Sequence, residues 1–239
     1  MKDYTHLNTT RKEVVQNMLI AAFGLFIFGI GVYLTIHANI GVAPWDVLNQ
    51  GLAKHIPISY GTVMMLVSLT VIVLDVLMKE PIGMGMLLDT VVVGKTVDLM
   101  NWWDPVPLRQ TVRGGVLLLV IGIVLLAIGM RVYMAVGLGC GPRDTFLVAL
   151  CKRFPKLSIG TLNIIMWATV TIIGWLLGGQ VGIGTVFSGP SYSGGAPSSS
   201  YRTLYSGYEI SSVSSRYSNG SFVLSDMISL PVFVISEML

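Results

Sequence analysis

The chain has 239 residues, of which 53% are hydrophobic and 11% charged, and its mean hydropathy is +0.75. About a quarter of the residues of an ordinary soluble domain are charged, so this composition excludes that class and indicates a polytopic membrane protein. The net charge of +3 is small and forms no basic patch with interleaved aromatic residues, so no nucleic-acid partner is predicted. The lipid bilayer is the partner that the composition predicts.

Five apolar runs approach the roughly 20 residues that a membrane-spanning helix needs. The third run is the weakest, because it carries Asp89, Lys95 and Asp98. The N-terminal run is too long for a cleaved signal peptide and is predicted to be retained. The five predicted spans are Val14 to Ile36, Gly61 to Leu77, Met84 to Met100, Gly115 to Ala135 and Ile159 to Leu177.

A phrase after the first span is repeated after the fourth. GVAPWDVLNQGLAK, residues 41–54, aligns with GCGPRDTFLVALCK, residues 139–152, at an offset of 98. After one inserted residue the offset becomes 99, and SYGT and IGMG align with SIGT and VGIG. Matches at fixed spacing over more than about fifty residues indicate an internal duplication.

Three spans per unit is an odd number, so the second unit must enter the membrane in the opposite direction. We therefore predict an all-α membrane protein built from two inverted three-span repeats, each with a short interfacial or re-entrant helix. An N-terminus in the cytoplasm places eight Lys and Arg residues inside and three outside, which the positive-inside rule favours. The predicted regions are a cytoplasmic N-terminus (1–13), the first repeat (14–100), an external loop (101–113), the second repeat (114–188) and a divergent tail (189–239).

The repeated phrase predicts a short helix with a charged start. Pro44 and Pro142 suit the first helical position, and Asp46 and Asp144 then lie in the first turn, at the positive end of the helix dipole. One interpretation is that these carboxylates only stabilise the helix ends. The other is that both helices converge on a central site whose carboxylates bind a cation or a proton, since charges at membrane depth are usually functional.

A second group of charged residues lies in the second and third spans. Lys95 and Asp98 are three residues apart, which favours a simple pair, and Asp75 lies close enough to a span end to reach the interface. Asp89 has no obvious partner in its span. The candidate ion or substrate site therefore comprises Pro44, Asp46, Asp89, Lys95, Pro142 and Asp144.

No nucleophile-base pair, metal-binding motif or phosphate-binding loop is found in the sequence, so we predict no enzyme activity, no catalytic residue, no metal and no cofactor. Two functions stay open: a secondary transporter or channel-like protein for a small solute or ion, and a non-transporting membrane regulator or assembly partner. A homo-oligomer is compatible with both.

The motifs GVAPWD, PIGMG, GCGPRD and VGIGTVF resemble those of the YczE/YyaS/YitT-like family of uncharacterised bacterial integral membrane proteins. The similarity covers roughly residues 14–188. It implies a five- or six-span protein of the bacterial inner membrane whose activity is not established, and it brings no catalytic residues.

The second repeat breaks off after Ser188. A sixth span is expected at about residues 184–203, but the sequence becomes rich in Ser, Gly and Tyr, a composition that cannot span hydrocarbon as a helix and favours disorder. The sixth span is therefore missing or disrupted. A tail translated out of frame and a genuine divergent tail both explain this break.

An out-of-frame tail predicts that another reading frame past codon 188 encodes an apolar span. Sequencing the gene and translating all three frames tests this. If no frame restores a run of about 20 apolar residues, the tail is genuine.

Overall fold

The computed structural model describes residues 11–109 and 111–185, and the elements in these ranges are helices. Residues 183–185 begin a further helical turn. The predicted tail, 189–239, lies outside the described residues. The helices are α1 (Arg11–His37), α2 (Pro44–Ala53), α3 (Tyr60–Leu77), α4 (Met84–Trp103), α5 (Val112–Ala135), α6 (Pro142–Arg153) and α7 (Ile159–Leu176).

Four of these helices are long and apolar enough to cross a membrane: α1, α3, α5 and α7. They expose large apolar side chains around the bundle, as a lipid-facing surface requires, for example Phe23, Leu66, Leu117 and Ile164. The all-helical membrane architecture predicted from the sequence is thus confirmed. The third predicted span corresponds to α4, whose 20 residues include three charged ones and which is not among the four candidates.

Glycines let the two longest helices, α1 and α5, approach each other backbone to backbone. A Cβ atom added to Gly129 would lie 2.6 Å from Gly24 O and 2.6 Å from Phe28 N. About two turns further along α1, a Cβ atom added to Gly31 would lie 2.9 Å from Gly122 O. Small residues at such crossings are the usual means by which membrane helices pack closely.

The short helices α2 and α6 pack against different neighbours. Helix α2 lies against α7, and helix α6 lies against α3. Both begin with proline, and each is preceded by a glycine in a left-handed conformation, with φ of +110° at Gly41 and +105° at Gly139. At about 15 and 18 Å, neither helix is long enough to cross a bilayer.

Two backbone hydrogen bonds connect the loops before the short helices to distant segments. Gly85 N donates to Leu138 O, and Gly184 N donates to Ile40 O, both at 2.9 Å. These bonds tie the start of α4 to the loop before α6, and the last described turn to the loop before α2.

The predicted pair of Lys95 and Asp98 is replaced by a different contact. Asp98 accepts hydrogen bonds from Ser59 Oγ (2.6 Å) and Gly61 N (2.7 Å), while Lys95 is exposed on α4. The carboxylate therefore stabilises the N-terminus of α3, where unpaired backbone N–H groups need acceptors.

The crossing of α1 and α5 predicts opposite outcomes for two glycines of the same helix. Gly129→Ala should lower the free energy of unfolding by about 1–3 kcal/mol, because the added methyl group overlaps the α1 backbone. The control is Gly114→Ala, whose Cβ would lie 3.6 Å from Arg109 Cδ and should leave stability unchanged or slightly raised. Thermal unfolding of both variants in detergent tests this, and equal midpoints would contradict the close packing.

Candidate functional site

A cavity of about 70 Å³ lies where all seven helices meet. A cavity needs roughly 10–15 Å³ of such volume per water molecule, so this one has room for a handful of waters or a small ion. It is too small for a drug-sized ligand, whose pockets usually exceed about 300 Å³. Its polar lining residues are Ser68, Asp89, Thr90, Tyr133, Arg143, Asp144 and Asn163.

The two short helices begin at this cavity. Pro44 and Trp45 of α2 line it, as do Gly141, Arg143 and Asp144 at the start of α6. The repeated phrase therefore contributes to the cavity from both of its copies. Helix N-termini carry partial positive charge, so each copy brings both a dipole end and a nearby carboxylate.

The carboxylates of Asp89 and Asp144 face the same glycine. A Cβ added to Gly141 would lie 3.2 Å from Asp89 Oδ2 and 4.0 Å from Asp144 Oδ2. Within the described part of the chain, neither carboxylate accepts a hydrogen bond or forms an ion pair. Glycine at this position leaves the space between the two acids open.

Arg143 supplies the positive charge nearest to both acids. Its guanidinium Cζ lies 5.3 Å from the centroid of the Trp45 ring, which is a cation–π contact between α6 and α2. Burial raises the pKa of Asp144 to about 6, and the charge of Arg143 opposes that rise. Burial, together with the charge of Asp144, raises the pKa of the Cys140 thiol to about 12, so this thiol stays protonated at neutral pH.

Tyr133 is a lining residue that sequence reasoning missed. It is 1% exposed, and its hydroxyl has no hydrogen-bond partner among the described residues. A buried hydroxyl without a partner is costly and uncommon. The available signal was a tyrosine near the end of a predicted span, two residues after Arg131.

The structure brings together only part of the predicted site. Pro44, Asp89 and Asp144 line the cavity, whereas Asp46 and Pro142 are buried beside it and Lys95 is exposed on α4. The Asp46 carboxylate accepts a hydrogen bond of 3.2 Å from Asn49 Nδ2. This contact within α2 favours the structural interpretation for Asp46.

Asp75 does not reach solvent as its position near a span end suggested. It is fully buried, and neither carboxylate oxygen has a hydrogen-bond partner among the described residues. It does not line the central cavity.

The chain resembles several proteins of unassigned activity. An uncharacterised protein of Haemophilus influenzae is 34% identical over 182 residues, which cover 76% of this chain and 81% of that protein. Two proteins of Bacillus subtilis are each 27% identical: the uncharacterised membrane protein YczE, over 74% of this chain and 82% of its own, and the uncharacterised protein YyaS, over 69% and 83%. No solved structure matches the chain.

These relatives confirm the resemblance that the motifs indicated. Together with the four apolar helices, they support a multi-pass membrane protein. The model of a family of unknown function, DUF6198, matches residues 15–189, most of the chain and up to the point where the composition changes. The chain therefore belongs to the DUF6198 family.

Proposed function

We propose that this protein moves a small solute or ion across the bacterial inner membrane by way of the central cavity. The observation that carries the proposal is the meeting of two short helix N-termini and two carboxylates without partners at one small cavity. Sites of this construction, with broken or partial helices near the bilayer midplane, are typical of secondary transporters.

We infer that the two repeats are inverted, and reciprocal contacts support this inference. The bond from Gly85 to Leu138 has its counterpart, at the offsets of 99 and 98, in the bond from Gly184 to Ile40. Trp45 aligns with Arg143, and these two side chains contact each other. Reciprocal contacts between equivalent positions are what a two-fold axis near the cavity would produce.

The crossing of α1 and α5 has the same reciprocity. Gly24 of α1 faces Gly129 of α5, and Gly31 faces Gly122. At an offset of 98 the first pair maps onto the second. Two halves related in this way could exchange conformations across the membrane, as alternating access requires.

The C-terminal ends of α2 and α6 bond to different parts of the bundle. Lys54, after α2, donates to Gly178 O after α7 (2.5 Å), and Lys152 of α6 pairs with Glu80 after α3 (2.7 Å). If successive spans alternate in direction, the ends of α3 and α7 lie on opposite membrane faces. The short helices then run from the cavity to opposite sides. The excess of basic residues favours a cytoplasmic location for the N-terminus and Lys152.

Accessibility of single cysteines tests this topology. In a background with Cys140 and Cys151 replaced by serine, Lys54→Cys should react with a membrane-impermeant maleimide in intact cells. Lys152→Cys should react only after permeabilisation. Labelling of both from one side would contradict the inverted arrangement.

Flux into proteoliposomes tests transport. We expect charge movement or swelling above that of protein-free liposomes for at least one member of a panel comprising Na⁺, K⁺, methylammonium, chloride, glycerol and urea. Asp89→Asn and Asp144→Asn should reduce it to the protein-free level, because they remove the charges at the cavity. Lys95→Gln is the control and should retain the flux.

Absence of flux for every solute of the panel would contradict the transport proposal. A stable protein partner recovered in mild detergent, combined with that absence, would favour the membrane regulator or assembly partner.

A further inference from the structure

The side chains that line the cavity carry an excess of negative charge. Asp89 and Asp144 are the acidic residues of the lining, and Arg143 is its basic residue. Their formal charges sum to one negative charge when both acids are ionised. An uncompensated charge at membrane depth is expensive, and one monovalent cation would neutralise it.

The cavity also presents oxygen atoms that need a partner. The carboxylates of Asp89 and Asp144 both lie beside Gly141 and accept no hydrogen bond within the described residues. The Tyr133 hydroxyl is buried, has no partner among the same residues and belongs to the cavity wall. Oxygen ligands suit hard cations, and the described residues hold no group of three or more His, Cys, Asp or Glu side chains such as a divalent metal would favour.

We propose that the cavity binds one alkali metal cation between Asp89, Asp144 and the hydroxyl of Tyr133, and that Arg143 competes with this cation as an internal positive charge. This inference names the substrate or coupling ion of the proposed transport site and rests on that site.

The position of Arg143 indicates how this residue competes with the cation for the two carboxylates. Its guanidinium is stacked on Trp45 rather than paired with either acid, since no ion pair within 4 Å joins it to them among the described residues. An arginine held on the ring of α2 leaves both carboxylates to the cation, whereas an arginine that moved to the carboxylates would displace it. Occupancy of the cavity would thus alter the contact between the two short helices.

The test uses the purified full chain in detergent, with NaCl, KCl or LiCl exchanged for choline chloride at constant ionic strength. A ligand that binds the folded state raises the unfolding midpoint in a saturable manner, and Trp45 and Trp167, which line the cavity, provide a fluorescence readout. We expect a saturable shift with at least one alkali ion and none with choline.

Substitutions distinguish residues that bind the cation from residues that only support the fold. Asp89→Asn and Asp144→Asn should abolish the shift, and Tyr133→Phe should weaken the apparent affinity several-fold. Arg143→Gln should tighten it by about tenfold, because a competing charge is removed. Lys95→Gln and Asp104→Asn, at exposed positions, remove one charge of each sign outside the cavity and should leave the affinity unchanged.

Four results would overturn the proposal. They are an equal shift with choline, a shift that follows the anion instead, weaker rather than tighter binding in Arg143→Gln, and unchanged binding in both aspartate variants. Asp89→Glu retains the charge and should keep part of the affinity that Asp89→Asn loses. This control distinguishes loss of the charge from misfolding of the variant. Cation binding without flux would overturn the transport proposal alone, and flux of a neutral solute without cation binding would overturn the cation site alone.

Discussion

Two backbone hydrogen bonds, from Gly85 to Leu138 and from Gly184 to Ile40, hold the loops that precede the short helices. In a bilayer, irregular backbone is tolerated only where its polar groups are satisfied within the protein. The loops before α2 and α6 are irregular and include a glycine in a left-handed conformation. Anchored in this way, each loop can end at the cavity and start a helix there.

The two repeats match at residues that shape the backbone and differ at residues that line the cavity. Prolines and glycines match in the two repeats, and Ser59 and Ser158 make equivalent caps at the starts of α3 and α7. Asp89 aligns with Ser188, which lies outside the described residues, and Trp45 aligns with Arg143. The cavity is therefore asymmetric, with its two lining carboxylates supplied by α4 and α6. A single cation site needs only one set of ligands, so duplication of the backbone need not duplicate the acids.

Much of this fold could be predicted from the sequence. Hydropathy located the five long helices, and Pro44 and Pro142 marked the starts of the short ones within one residue. The meeting of both motifs at one cavity was one of two interpretations that the sequence left open. The difference between Asp46 and Asp144 could not be predicted, because both occupy the same place in their helices. Their environments differ only through packing: Asp46 lies against Asn49, while Asp144 faces the space beside Gly141.

Asp75 shows the same divergence at the periphery of the bundle. Its counterpart in α7 is Gly174, where an added Cβ would lie 2.5 Å from Leu48 N of α2. Glycine thus lets α7 touch the backbone of α2, whereas α3 presents a buried carboxylate at the equivalent position beside α6. A buried carboxylate without hydrogen bonds costs free energy that a glycine does not. This cost falls on α3 alone, because the equivalent position of α7 carries no side chain.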